Sequence, residues 1–159
     1  MKKENIIAII TGPSAVGKTT IAKILLKKLK NFKATITYTT RKKRENLKED
    51  KIINYVYKKK FRKLIDENNF VEWAQVYNNF YGTAKKETLE LLKKNNILLN
   101  IDVQGALIIK KKYPKCLTIF ILPENIETLK KRLEKRKISK IIIKKRLNQG
   151  GRVSAKPYA

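Results

Sequence analysis

Short apolar runs alternate with lysine-rich amphipathic segments along the chain. The β-branched run at residues 6–10 predicts a buried strand, and a second such run follows at 97–101. After the first run, apolar residues recur at helical spacing, which predicts a helix over residues 19–29. Its apolar face comprises Ile21, Ile24, Leu25, Leu26 and Leu29. This alternation favours a three-layer α/β fold with a mostly parallel sheet.

The loop between the first strand and the helix has the pattern G-x-x-x-x-G-K-[ST] in full. Gly12 and Gly17 let backbone N–H groups converge on one anion, and the helix that follows adds its positive end. Lys18 is predicted to contact the β- and γ-phosphates of a nucleotide, and the Thr19 hydroxyl to ligate Mg²⁺. The flanking strand and helix weigh against a chance match in a glycine-serine turn. The predicted phosphate-loop residues, which bind the nucleotide, are Gly12, Pro13, Ser14, Ala15, Val16, Gly17, Lys18, Thr19 and Thr20.

Charge is the most unusual feature of the composition, with a formal net charge of +26 from 39 Lys+Arg and 13 Asp+Glu. The lysines are spread along the whole chain, and isoleucine and asparagine are abundant too. An A/T-rich codon bias explains this composition, so we expect no specific nucleic-acid partner. A phosphate-loop protein whose ligand is nucleic acid is kept as a hypothesis on net charge alone.

Length and apolar content predict one cytoplasmic domain. No stretch approaches the roughly 20 apolar residues of a membrane span, and no signal peptide is recognisable, so no membrane partner is expected. The single cysteine, Cys116, lies in an apolar run and is predicted to be a buried, inert thiol in a reducing compartment. The oligomeric state stays open.

Two charged patterns in the middle of the chain are ambiguous by themselves. Arg41 and Arg44 follow a β-prone run, and their planar guanidinium groups suit bidentate phosphate contact. On charge alone, a solvated basic turn is the better interpretation. Glu72 lies among apolar residues in the predicted strand 70–76, where a surface glutamate is the plain alternative.

The order of motifs resembles the guanylate kinases, which transfer a phosphoryl group from ATP to GMP in purine nucleotide metabolism. The resemblance is collinear from about residue 6 to about residue 149. Beside the phosphate loop, the motifs are Tyr-Thr-Thr-Arg-Lys-Lys-Arg at 38–44, Phe-Val-Glu-Trp-Ala-Gln at 70–75, Phe-Tyr-Gly-Thr at 80–83, Ile-Asp-Val-Gln-Gly-Ala at 101–106, Phe-Ile-Leu-Pro at 120–123 and Lys-Lys-Arg-Leu-Glu-Lys-Arg at 130–136. It implies a phosphate-loop kinase fold with a core at 1–36 and 88–124, a GMP-binding insertion at 37–87 and a lid at 125–147.

The resemblance also implies roles for the ambiguous residues. Glu72 would accept the N1–H and N2–H₂ groups of guanine, and Thr37 and Thr83 would supply hydroxyl groups. A buried site of this kind rejects other bases because its carboxylate would be left unpaired. Asp102, at the end of a strand, would hold either the base or a Mg²⁺-bound water, and the two roles stay open. The GMP phosphate would be held by Arg41, Arg44 and Tyr81.

The implied chemistry needs no covalent nucleophile. A phosphate oxygen of GMP attacks the γ-phosphorus of ATP in line, while Mg²⁺, Lys18 and arginines offset the charge. The arginines of the lid region would be Arg132, Arg136 and Arg146, and a solvated basic helix is the alternative for all three.

Three features depart from the family pattern. Ile53 stands where a phosphate-binding tyrosine is usual, and Tyr55 would face the same side of a strand and is predicted to replace it. The lid segment 136–140 lacks the expected glycine and acidic residue and is one residue short. Residues 150–159 form an atypical tail in place of the family's further helix, strand and helix. We therefore expect a missing core strand, a bare sheet edge, lowered stability and weak or absent kinase activity.

Four functional hypotheses result. The first is an ATP:GMP phosphotransferase, active or degraded, and the second is a non-catalytic guanylate-kinase-like binding module. The intact Lys18-Thr19 pair argues against the second. The nucleic-acid ligand is the third, and another monophosphate specificity is the fourth, disfavoured by Glu72, Thr37 and Thr83.

Overall fold

The computed structural model describes residues 4–43, 52–135 and 140–154. Its described strands form two four-stranded sheets, with helices between them in the chain. In chain order the elements are β1 (Ile7–Thr11), α1 (Lys18–Lys28), β2 (Phe32–Ala34), β3 (Thr37–Thr39), β4 (Ile53–Tyr55), α2 (Lys58–Asp66), β5 (Phe70–Val76), β6 (Asn79–Ala84), α3 (Lys85–Leu92), β7 (Asn96–Asn100), α4 (Val103–Lys112), β8 (Leu117–Phe120), α5 (Ile126–Glu134) and α6 (Lys140–Ser154).

The first sheet is entirely parallel and has the strand order β2-β7-β1-β8. Every residue of β1 is buried, as the continuous apolar run predicts for a strand covered on both faces. Ile10 of β1 pairs with Asn100 of β7, so these two strands end side by side. The residues that follow β1 and β7 therefore share one edge of the sheet, where ligands bind in open α/β folds.

Helix α1 confirms the helix that the sequence predicts, but the predicted apolar face is wrong at two positions, Ile24 and Leu29. Ala22 is buried, and Leu25 and Leu26 pack against the core beside it. Ile24, by contrast, is 50% exposed. Ile24 lies about 200° around the helix axis from Ala22, so it faces solvent. Leu29 is the C-cap, outside the helix, and is also exposed.

The second sheet has the order β4-β3-β6-β5, in which only β3 and β4 are parallel. Its strands span residues 37–84, inside the segment predicted as the insertion. Phe61 of α2 is fully buried on one face, and its ring stacks on Phe70 at 4.7 Å and on Phe80 at 5.4 Å. This aromatic packing on one face leaves the side chains of the other face to form a site.

Strand β8 is an edge of the first sheet within the described part of the chain. It pairs with β1 on one side, and Leu117 and Ile119 are 52% and 38% exposed. The preceding Cys116 is buried, which confirms that prediction. These exposed apolar side chains on β8 are consistent with the prediction that one edge of the sheet is left uncovered.

Helices α5 and α6 pack beside the loop after β1. Leu129 and Leu133 of α5 are buried against Ala15 and Val16 of that loop, with Ile143 of α6 in the same cluster. No helix in the described ranges is long and apolar enough to cross a membrane.

Candidate active site

The loop after β1 has the backbone of a phosphate-binding nest. Gly12, Ala15 and Gly17 have φ angles of 142°, 71° and 113°, in the left-handed region that favours glycine. A side chain at Gly12 would also collide with the backbone carbonyl of Ile121. The loop leads directly into α1, whose N-terminus adds partial positive charge to the converging N–H groups.

Lys18 and Arg132 both contact this loop. The Lys18 Nζ donates to the carbonyls of Gly12 and Pro13, at 2.8 Å each, so the ammonium group lies over the loop. The Arg132 guanidinium donates to the carbonyl of Val16 at 2.9 Å. The structure thus places Arg132, one of the predicted lid arginines, beside the loop that is predicted to bind the ATP phosphates.

Thr19, in the first turn of α1, is adjacent to Asn100 at the carboxyl end of β7. The Asn100 amide donates to the Thr19 hydroxyl at 3.3 Å, and both residues are exposed. Hydroxyl and amide oxygens are hard ligands that suit Mg²⁺, whose remaining positions are usually filled by water and substrate phosphates. In the described ranges no three acidic or cysteine side chains are grouped to hold a metal ion. The donor set therefore fits a magnesium ion brought in with a nucleotide.

The residues predicted for the nucleobase form one row across the second sheet. Glu72 of β5 pairs with Thr83 of β6, and Thr83 pairs with Thr37 of β3. Paired residues project from the same face, so all three side chains line one surface. The Thr83 hydroxyl donates to Glu72 Oε1 at 2.5 Å.

Glu72 is a strongly perturbed carboxyl group. It is 4% exposed, and its burial raises its pKa from 4.5 to about 7, with a further increase from the negative charge of Asp102 and a decrease from the Thr83 hydrogen bond. Asp102 is the N-cap of α4, where its Oδ1 accepts from the N–H groups of Gln104 and Gly105 at 2.8 and 3.4 Å. A buried acceptor with a shifted pKa is typical of a functional site.

Two arginines have buried donors that suit an anion. The Nε atoms of Arg41 and Arg146 are buried and have no hydrogen-bond partner in the described structure. Buried donors are normally satisfied, so both positions suit phosphate oxygens. The Arg146 guanidinium also lies 5.1 Å from the ring centroid of Tyr77, in the turn between β5 and β6.

The tyrosines predicted for the GMP phosphate lie in the neighbouring row. Tyr55 pairs with Thr39, and Thr39 pairs with Tyr81, while Ile53 is in the row of Thr37. Tyr55 and Tyr81 therefore share a face with the nucleobase residues. Arg44 and Arg136 lie outside the described residues, as do residues 155–159 of the predicted tail.

The sequence did not single out Asn100, Tyr77 or Gly105 as site residues. Asn100 could have been found as a polar residue at the carboxyl end of a buried strand, the usual place of ligands in such sheets. Gly105 stands in the 101–106 motif, but no local pattern shows its contact with Glu72, and Tyr77 has no local signal, because each meets its partner only through tertiary packing.

The fold and these sites define an α/β protein with a phosphate-loop motif after its first strand and a row of polar side chains across its second sheet. The guanylate kinase family model matches residues 4–150, and the chain belongs to that family. A guanylate kinase from Caldanaerobacter subterraneus is 43% identical over 139 residues, and the alignment covers 86% of this chain and 66% of that protein. For a guanylate kinase from Clostridium acetobutylicum, identity is 42% and the coverages are 84% and 64%.

A third relative and a solved structure are covered more fully. The guanylate kinase from Prochlorococcus marinus strain MIT 9312 is 42% identical over 149 residues, with 92% of this chain and 81% of that protein aligned. The crystal structure of guanylate kinase from Anaplasma phagocytophilum superposes with a TM-score of 0.71 at 26% identity, covering 98% of this chain and 87% of that one. The chain thus spans just under two thirds of the length of the first two relatives.

Proposed function

We propose that this chain binds ATP and GMP and transfers the γ-phosphoryl group to GMP, forming ADP and GDP. The observation that supports this most strongly is the position of the last residue of β7 and the segment that follows it. Asn100 contacts Thr19 of the phosphate loop, and two residues later Asp102 lies beside Glu72 of the nucleobase row. In this proposal, one edge of the parallel sheet would join the site for the donor to the site for the acceptor.

The donor would bind through its phosphates. Backbone N–H groups of residues 12–19 would surround the β-phosphate, and Lys18 would leave the loop carbonyls to contact the β- and γ-phosphates. Thr19 and Asn100 would hold Mg²⁺, which neutralises phosphate charge when bound.

The acceptor would bind across the second sheet. Glu72 would take the two adjacent N–H donors of guanine through its carboxylate, while Thr83 and Thr37 line the same row. Asp102 would contact the amino group from the core side. The GMP phosphate would meet the buried Nε of Arg41, with Arg44, Tyr81 and Tyr55 as further donors.

The transfer would depend on position and charge rather than on a covalent intermediate. An oxygen of the GMP phosphate attacks the γ-phosphorus, and the bond from that phosphorus to the oxygen bridging to the β-phosphate breaks, releasing ADP. Arg132 beside Val16 and Arg146 with its buried Nε would offset the negative charge, together with Arg136. Packing of α5 over the loop would help to exclude water.

Calorimetry with GMP, followed by a coupled assay of GMP-dependent ADP formation, tests the proposal. Glu72→Ala should weaken GMP binding about 10- to 100-fold, the cost of removing hydrogen bonds to a charged group. The exposed Lys115→Ala variant is the matched control and should bind GMP normally. GMP binding without ADP formation would instead favour a non-catalytic module, and no GMP binding by the native chain would contradict the proposal.

A further inference from the structure

Gly105 has no local structural reason to be glycine. It lies in the first turn of α4, is buried, and has no left-handed φ angle. At such a helical position alanine would stabilise the helix by about 1 kcal/mol relative to glycine. The reason for a glycine must therefore be the space beside it.

That space is filled by the carboxylate of Glu72. A Cβ atom at Gly105 would lie 2.6 Å from Glu72 Oε2 and 3.2 Å from its Cδ. Both distances are shorter than van der Waals contact allows, so one partner would have to move. The Glu72 side chain is not free to do so, because Thr83 holds Oε1 at 2.5 Å and the residue is almost fully buried.

Helix α4 is not free to move either. Two side chains of this helix hydrogen-bond to the backbone of β5 on either side of Glu72. The Lys112 ammonium donates to the carbonyl of Val71, and the Gln104 amide donates to the carbonyl of Gln75 at 3.2 Å. Strand and helix are thus joined at points before and after the carboxylate, at a spacing that leaves no room for a methyl group.

We propose that Gly105 is a positioning residue that determines guanine specificity. Its missing side chain lets the Glu72 carboxylate lie against the N-terminal turn of α4, with Oε1 on Thr83 and Oε2 beside Gly105. The inference rests on the proposed function. A methyl group at residue 105 would displace the carboxylate and weaken GMP binding without touching the phosphate loop.

The first test is calorimetry of the full chain with GMP and, separately, with ATP. Gly105→Ala should weaken GMP binding about 10- to 100-fold, the range for losing hydrogen bonds to a charged group, and leave ATP binding within about twofold. Leu107→Ala is the control, because Leu107 is on the same helix and is 55% exposed. Normal GMP binding by Gly105→Ala would overturn the role of Gly105.

The second test needs no ligand. Thermal unfolding is measured for Gly105→Ala in the native chain and in a Glu72→Ala background. In the background without the carboxylate, the added methyl group should raise Tm, since alanine favours the helix; in the native chain it should lower Tm. If Gly105→Ala does not fold alone, folding of the double variant supports the contact, and failure of the double variant overturns it.

The two tests separate the inference from the function on which it rests. If the native chain does not bind GMP, the proposed function and the specificity role both fall. If the native chain binds GMP and the two substitutions change Tm additively, only the role of Gly105 falls.

Discussion

Glu72 is the residue on which most of the proposed chemistry depends. Its carboxyl group is buried, close to the negative Asp102, and has a pKa of about 7. A protonated carboxyl group has lost part of its capacity to accept hydrogen bonds, so it cannot take both guanine donors. Under the proposed function, ionisation of Glu72 therefore favours GMP binding.

We expect GMP binding to strengthen as the pH rises from 6 to 8. As the pH passes the Glu72 pKa of about 7, the carboxyl group ionises and would become the acceptor for the guanine N–H groups. The GMP phosphate also ionises, near about pH 6, so its contribution must be removed. Calorimetry of Glu72→Gln at the same pH values does this, because the variant keeps the phosphate term and loses the carboxylate. Parallel pH profiles for the two proteins would contradict the proposal that the Glu72 carboxylate binds guanine.

The same pKa predicts a pH-dependent cost in stability. The folded chain binds the Glu72 proton more tightly than the unfolded chain, where the pKa is 4.5, so stability is lost as the pH rises from 4.5 through about 7. At pH 8 the charged group costs about 3 kcal/mol, which is the shift converted to free energy. Urea unfolding should show Glu72→Gln more stable than the native chain at pH 8 and nearly equal at pH 4. If the difference in stability between the two proteins did not change with pH, the raised pKa of Glu72 would be contradicted.

Helix α6 and the β5–β6 hairpin meet at a single described ring contact. The Arg146 guanidinium lies over the Tyr77 ring, and Tyr77 has a φ of 57° in the turn. Burial of Tyr77 raises the pKa of its hydroxyl, and the positive charge of Arg146 opposes that increase. The predicted lid and the predicted insertion are therefore connected through Arg146, the arginine proposed to stabilise the transferring phosphoryl group.

Removing the ring should loosen this connection. Tyr77→Leu is expected to lower the free energy of unfolding by about 0.5–2 kcal/mol, the usual range of a cation–π contact. Turnover should fall as well, because Arg146 would lose its orientation. Tyr77→Phe keeps the ring and the backbone strain, so it should match the native chain in both urea unfolding and the coupled assay. Equal behaviour of the two variants would show that the contact has no effect.

At the scale of the whole molecule, charge and the edge strand act in opposite directions. A net charge of +26 keeps copies apart at low salt. The exposed Leu117 and Ile119 of β8 favour strand-to-strand association. Salt screens the charge and leaves the apolar edge unaffected.

Sedimentation should therefore show association that increases with salt. The double variant Leu117→Thr with Ile119→Thr should associate less at high salt, while its GMP binding stays within about twofold because both replaced side chains are exposed and Glu72 is buried. Leu107→Thr, an exposed leucine away from any strand edge, is the control. Association that is unchanged in the double variant would place the contact elsewhere.

The elements near the start of the chain were predictable because their signals are local. The run at 6–10 and the phosphate-loop pattern predicted β1, the loop and α1, and the structure confirms all three. The error at Ile24 arose because several faces of a short helix contain apolar residues, and only packing against β1 and β7 decides which face is buried.

The amino-acid sequence by itself determined the strand–loop–helix that can hold phosphates, the parallel sheet and the family, because these depend on residue type, spacing and order. Tertiary structure alone decided that Thr83 contacts Glu72, that Asn100 contacts Thr19, and that Gly105 leaves room for a carboxylate. These contacts join residues 11 to 81 positions apart. Strand register and helix docking set such distances, and no local pattern encodes them.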